Sequence, residues 1–131
     1  MARAKAYIDS HVARTVTLDK PIVFEEFGLA RDLNSFSPAA PVTVRDHYYA
    51  EILGHLHAHA TSRAVAGVNF WAYAGESRPV PPFGLWWQPG SSLVADPPHE
   101  PQGWYSVYNS DTSTLAVVQR LARLMSDLDR P

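Results

Sequence analysis

Cysteine is absent from the 131-residue chain, which rules out disulfides and thiolate metal sites and leaves the redox compartment open. An excess of charge is also missing. With 11 Lys+Arg against 13 Asp+Glu and a net charge of -2, there is no electrostatic footprint for nucleic acid or an anionic membrane. No apolar run approaches the roughly 20 residues needed to span a bilayer. Met1 to Val16 carries Arg3, Lys5, Asp9 and His11 among small apolar residues, so it lacks the apolar stretch of a secretory signal. Repeats and low-complexity tracts are absent too. What is plentiful is ring and turn: four Trp, six Tyr and five Phe beside 11 Pro. A hydrophobic fraction of 46% is that of a globular protein, and the length suits one modest domain, residues 1–131. Aromatic side chains on loops can stack on the apolar C–H face of a sugar. They also fill cores and interfaces, the simpler reading on composition alone.

Along the chain, Ala4 to Val16 reads as a helix. Pro21-Ile22-Val23-Phe24, closed by Glu25-Glu26-Phe27-Gly28, reads as a short buried strand with a polar tip. Arg31 to Pro41 is a loop. Thr43 is positioned to cap the next helix, with Asp46 three residues on, and Tyr49, Ile52, Leu53, Leu56 and Ala60 follow as an apolar stripe. A second strand covers Gly67 to Tyr73, and a long irregular stretch runs from Gly75 to Asn109. A last helix spans about Thr112 to Leu128, with Asp111 as its N-cap and Leu115, Val118, Leu121, Ala122 and Met125 as its stripe.

Helices alternating with strands predict parallel pairing in an α/β fold. Two parallel strands leave both edges unpaired, and a complete eight-stranded barrel takes about 250 residues. The chain therefore reads as part of a (β/α)8 TIM barrel. Alternation puts Ile22, Phe24 and Glu26 on one face of the first strand and Val23, Glu25 and Phe27 on the other. In the second strand Asn69, Trp71 and Tyr73 oppose the apolar face Val68, Phe70 and Ala72, which must pack under helices. The Asn-Trp-Tyr face then points inward. Glu26, at its strand tip, either meets Trp71 at the C-terminal mouth, where barrel enzymes place their chemistry, or pairs with a basic side chain such as Arg31.

Three segments carry a resemblance. Lys-Pro-Ile-Val-Phe-Glu-Glu-Phe-Gly (Lys20 to Gly28) resembles the seventh strand of glycoside hydrolase family 5, and Gly-Val-Asn-Phe-Trp-Ala-Tyr-Ala-Gly (Gly67 to Gly75) its eighth. The run Asp-Pro-Pro-His-Glu-Pro-Gln-Gly-Trp-Tyr-Ser-Val-Tyr-Asn-Ser-Asp-Thr-Ser-Thr (Asp96 to Thr114) is similar to the approach to the last helix in the family's endo-β-1,4-mannanases. The resemblance implies a retaining mechanism on β-mannan or a related β-1,4-glycan, with no cofactor and a secreted or envelope setting. It implies that Glu26, directly before the aromatic-Gly pair, is the nucleophile, and that Trp71 floors the subsite of the attacked sugar. It further implies sugar contacts for Asn69, Tyr73 and the loop tryptophans Trp86, Trp87 and Trp104.

The same family places its acid/base Glu in an Asn-Glu pair on the fourth strand, and this chain has no such dipeptide. Of the other glutamates (Glu25, Glu51, Glu76 and Glu100) none stands where sequence reasoning would oppose it to Glu26. Two rival readings remain. His55 and His59 stand at i and i+4, a spacing zinc can use, but no acidic or cysteine ligand stands nearby in the helix. A histidine-rich helix end facing solvent explains them as well, so no metal is expected. A glycan-binding module without catalysis is the other reading. The open strand edges predict self-association, or pairing with the missing part of the barrel.

Overall fold

The apolar stripe of the central helix decides how the chain packs. Tyr49, Ile52, Leu53, Leu56 and Ala60 are all buried, and around them the computed structural model, which describes residues 1–128, arranges every other element. In order these are α1 (Ala2–Leu18), β1 (Ile22–Phe27), a 3-10 turn (Asp32–Asn34), α2 (Thr43–Ala60), β2 (Val65–Phe70), β3 (Tyr73–Gly75), β4 (Val107–Tyr108) and α3 (Thr112–Leu128). β1 and β2 pair in parallel, as do the short strands β3 and β4. Helix α1 ends where Asp19 turns left-handed at φ 50° and its N–H returns to the Thr15 carbonyl.

Two apolar clusters share one face of the β1–β2 pair. The first joins Ile8 of α1 to Ile52, Leu56 and Ala60 of α2 and Val65 of β2, with Ile22, Phe24 and Phe27 packed against them. The second joins Tyr49 and Leu53 to Val107 and to Leu121 of α3. Leu115, Val118 and Met125 of α3 pack there as the stripe expects, but Ala122 is exposed and Val117 takes part instead.

Strand alternation needs correction. Ile22 and Phe24, expected inside the barrel, pack under the helices, while Val23 and Glu25 lie on the uncovered side. The cause is the register. Phe24 pairs with Val68 but Phe27 pairs with Phe70, so β1 carries one extra residue there. Glu26 absorbs it at φ 56°, a left-handed conformation rare outside glycine. The second strand also stops at Phe70. Trp71 and Ala72, joined by a cis peptide, separate it from β3, which begins at Tyr73.

The cap expected at Thr43 is corrected as well. Thr43 is already helical, and the N–H groups of Thr43 and Val44 donate to the Asp32 carboxylate at 3.1 and 2.9 Å. Asp46 instead accepts from the Thr114 hydroxyl. Asp111 holds the N-cap position expected of it, its carbonyl accepting from the Leu115 N–H at 2.9 Å, while its carboxylate is engaged elsewhere. It is buried, and accepts from Arg31 Nη2 at 2.7 Å on both oxygens, from Arg45 Nη2 at 2.7 Å and from the Tyr108 N–H at 2.9 Å. Arg31 therefore pairs with Asp111 and not with Glu26.

Candidate active site

The extra residue in β1 is what builds the site. A regular strand would send Glu26 to the helix side with Phe24. The bulge keeps Phe24 and Phe27 under the helices and leaves the consecutive glutamates on the open side. Glu25 accepts from Asn69 Nδ2 at 3.0 Å. Glu26 faces an open cleft of about 620 Å³ at the ends of β1 and β2, which Trp71 also lines. Bulges cluster beside active sites because they re-aim a side chain in this way, though they are rare between parallel strands.

Backbone contacts fix Trp71 relative to Glu26. The Trp71 N–H donates to the Phe27 carbonyl at 2.9 Å, and the Trp71 carbonyl accepts from the buried Tyr49 hydroxyl at 3.1 Å. Burial pushes the ionisation of that hydroxyl up, so it stays a donor. A Cβ on Gly28 would come within 2.4 Å of the Trp71 carbonyl oxygen, so this approach requires glycine. The glycine of Glu-Phe-Gly is thus a contact requirement of the neighbouring strand end.

The opposite wall comes from the irregular stretch, folded around one buried carboxylate. Asp96 accepts from the N–H groups of Gly103 and Tyr105 at 2.9 and 2.7 Å and from the Ser106 hydroxyl at 2.6 Å. Gln102 Nε2 closes the turn on the carbonyls of Asp96, Pro97 and Glu100. The loop so formed carries His99, Glu100 and Tyr105 to the cleft. Burial, then the nearby charges of Glu100 and Asp96, raise the Tyr105 phenol above its ordinary range. Tyr48 of α2 completes the lining, its phenol also raised by burial.

Glu26 and Trp71 therefore share one cavity. Asn69, Tyr73, Trp86, Trp87 and Trp104 do not line it. Asn69 serves Glu25, and Tyr73 is exposed. Trp86 and Trp87 border a separate small hollow, where Trp87 Nε1 donates to the Ser91 carbonyl at 3.0 Å. Trp104 stacks on Tyr105, which lines the cleft, at 4.9 Å between centroids. Sequence reasoning missed Glu100, which shares the cleft with Glu26. Its signal was Asp96 among Pro97, Pro98 and Gly103, an acid amid turn formers whose backbone donors it could gather. Among the described residues one group, Asp9, His55 and His59, could hold a metal ion, and it is not part of the cleft.

The α/β layer, with Glu26 and Trp71 at neighbouring strand ends, is similar in fold to part of a glycoside hydrolase barrel. More narrowly, the chain belongs to glycoside hydrolase family 5, for the model described as GH family 5 beta-mannosidase-like matches residues 1–129. The chain is similar to the crystal structure of the glycoside hydrolase family 5 mannosidase from Rhizomucor miehei, at 34% identity and a TM-score of 0.81 over 97% of this chain and 32% of that one. A variant of that mannosidase in complex with mannosyl-fructose matches at 33% identity and a TM-score of 0.80, over 98% of this chain and 33% of that one. The chain thus spans about a third of the length of these structures. No curated protein matches it.

Proposed function

We propose that this chain supplies the seventh and eighth strands of a retaining β-mannoside hydrolase, with Glu26 as nucleophile and Trp71 as the platform beneath the attacked sugar. The observation that supports it best is the bulge, which turns Glu26 out of the helix-facing row and into the cleft that Trp71 lines. In the reaction, a Glu26 oxygen attacks the anomeric carbon while a second carboxylic acid protonates the departing oxygen. The resulting glycosyl ester is then hydrolysed by water, with net retention. Retention needs the two carboxyls about 5–5.5 Å apart. We assign the acid to the part of the barrel outside these residues, where the family's Asn-Glu pair belongs. Glu100 serves instead as an anionic acceptor for sugar hydroxyls. The exposed rings of Tyr73 and Trp86 would meet outlying sugar units, which favours a polymer such as β-mannan cut internally.

A substrate that needs no acid isolates the nucleophile. In a 2-deoxy-2-fluoro-β-mannosyl fluoride the carboxylate forms the C1–O bond and fluoride leaves with the bonding pair, without protonation. Mass spectrometry of the treated chain should find one fluoromannosyl ester, on Glu26, and none in Glu26→Ala. An ester on Glu25 or Glu100, or no ester at all, would overturn the assignment. The same chain should release almost no reducing sugar from mannan, because general acid help alone is worth roughly 10²–10⁴-fold.

A further inference from the structure

The seam between α1 and α2 carries two polar rungs one turn apart. At the first, Lys5 Nζ meets Glu51 Oε2 at 2.6 Å. At the second, Asp9, four residues after Lys5, meets two histidines, and its geometry is unlike a plain ion pair. His55 Nε2 lies 2.7 Å and His59 Nε2 2.9 Å from the same oxygen, Asp9 Oδ1. Both rings aim the same nitrogen at one point, with planes at 88° and centroids 5.0 Å apart. One ligand atom from each of the three residues lies within 4.8 Å of the others.

We propose that Asp9, His55 and His59 form a binding site for a single divalent transition-metal ion, zinc by preference. Sequence reasoning set the His pair aside because no acidic ligand lay nearby in the helix. The acid comes from α1, 46 positions away in sequence. Zinc binds imidazole nitrogen at about 2.0–2.1 Å and carboxylate oxygen at about 2.0–2.2 Å, so an ion seated between Asp9 Oδ1 and the two Nε2 atoms, which now lie 2.7 and 2.9 Å from that oxygen, needs the three to spread outward. It would take the place of the Nε2 protons, leaving each ring as its Nδ1–H tautomer. The rings are about a quarter exposed and Asp9 is half exposed, so solvent reaches the site and a water can fill the fourth position. The positive charge of Lys5 is already engaged by Glu51. Two nitrogen ligands and one carboxylate suit zinc better than calcium or magnesium, which favour all-oxygen sites. Since α1 precedes the strand bearing Glu26, the ion would lock α1 to α2 without entering the cleft.

Zinc chloride titrated calorimetrically into the full chain in a non-chelating buffer should show one ion per chain. Asp9→Asn and His59→Gln keep hydrogen-bonding groups across the seam while spoiling the ligand set. Each should weaken binding by at least about tenfold, the low end of what losing even an outer partner of a ligand costs. His57→Ala, on the same helix but outside the cluster, should bind as the parent does. Cobalt(II) added in place of zinc should give the intense visible bands of a four- or five-coordinate ion. Equal binding in parent and ligand variants, equal loss in His57→Ala, or the pale spectrum of hydrated cobalt would each overturn the site. Far-ultraviolet circular dichroism of the metal-free variants checks that weakened binding reflects lost ligands and not lost helices.

Discussion

The two faces of the β1–β2 pair contrast sharply. On the helix side, Ile22, Phe24, Phe27, Val68 and Phe70 meet three helices. Beside them Asp111, Arg31 and Arg45 form a buried ionic knot tying the β1 exit loop to α2, β4 and α3. On the other side Val23, Glu25, Glu26 and Asn69 are exposed, with Glu26 at the cleft. Stability is thus concentrated on one face and the proposed nucleophile, Glu26, on the other, with one inserted residue in β1 separating them.

The largest test of that division is the ionic knot. Asp111→Ala leaves two buried guanidinium groups without their anion, and breaking a buried pair from one side costs about 3–5 kcal/mol. Out of a total of roughly 5–15 kcal/mol, that should unfold much of the population in denaturant titrations. A loss under about 1 kcal/mol would show that the knot orients the loop without holding the fold. The same carboxyl sets an acid limit. Burial favours its protonated form, but Arg31, the Tyr108 N–H and Arg45 outweigh this and hold its ionisation below the ordinary carboxylate value. Its contribution is therefore present in full above the unfolded carboxyl's pKa of about 3.9 and is lost as pH falls through the lower folded value. Acid titration of the parent should show a transition below about pH 4 that is missing or flattened in Asp111→Asn.

A paired substitution compares the faces directly. Leu56→Ala removes a side chain from the first apolar cluster and should cost about 2–5 kcal/mol. Val23→Thr, on the open face and 47% exposed, should stay within about 0.5 kcal/mol. Similar losses for both would mean that the open face is covered in solution. The uncovered face and the unpaired edges of β1 and β2 also predict association. Sedimentation velocity should show the average mass rising with concentration, and a monomer at every concentration would remove that expectation.

Much of the stable face was legible in the sequence, because helix burial follows a period that the order of apolar residues preserves. The stripe from Tyr49 to Ala60 is buried residue for residue, and α3 has the bounds its pattern implies. The cleft face was legible only in part. Glu26 and Trp71 stood out, but alternation carried through Glu25-Glu26 gave the wrong side for Ile22 and Phe24. No glycine marks the left-handed position, so nothing local announces the bulge. Asp32 capping α2, Asp9 meeting His55 and His59, and Asp96 gathering the loop that presents Glu100 are all carboxylates acting on other segments. Local spacing does not encode those partners.

The smallest expected effect concerns the residue where the faces divide. Glu26 sits at φ 56°, where an L side chain costs roughly 1–2 kcal/mol relative to ordinary backbone and glycine adopts the conformation freely. Glu26→Ala removes the carboxylate but keeps a Cβ in the strained conformation, whereas Glu26→Gly removes both. Against this, glycine gives the unfolded chain more freedom, worth about 0.4–1 kcal/mol. The net expectation is that Glu26→Gly is more stable than Glu26→Ala by up to about 1.6 kcal/mol, read from the denaturant midpoints of the two variants at equal slope. Both should fail to form the fluoromannosyl ester. If Glu26→Ala is the more stable by a similar margin, residue 26 lies in ordinary extended backbone in solution. The bulge could then not be what turns this carboxylate into the cleft.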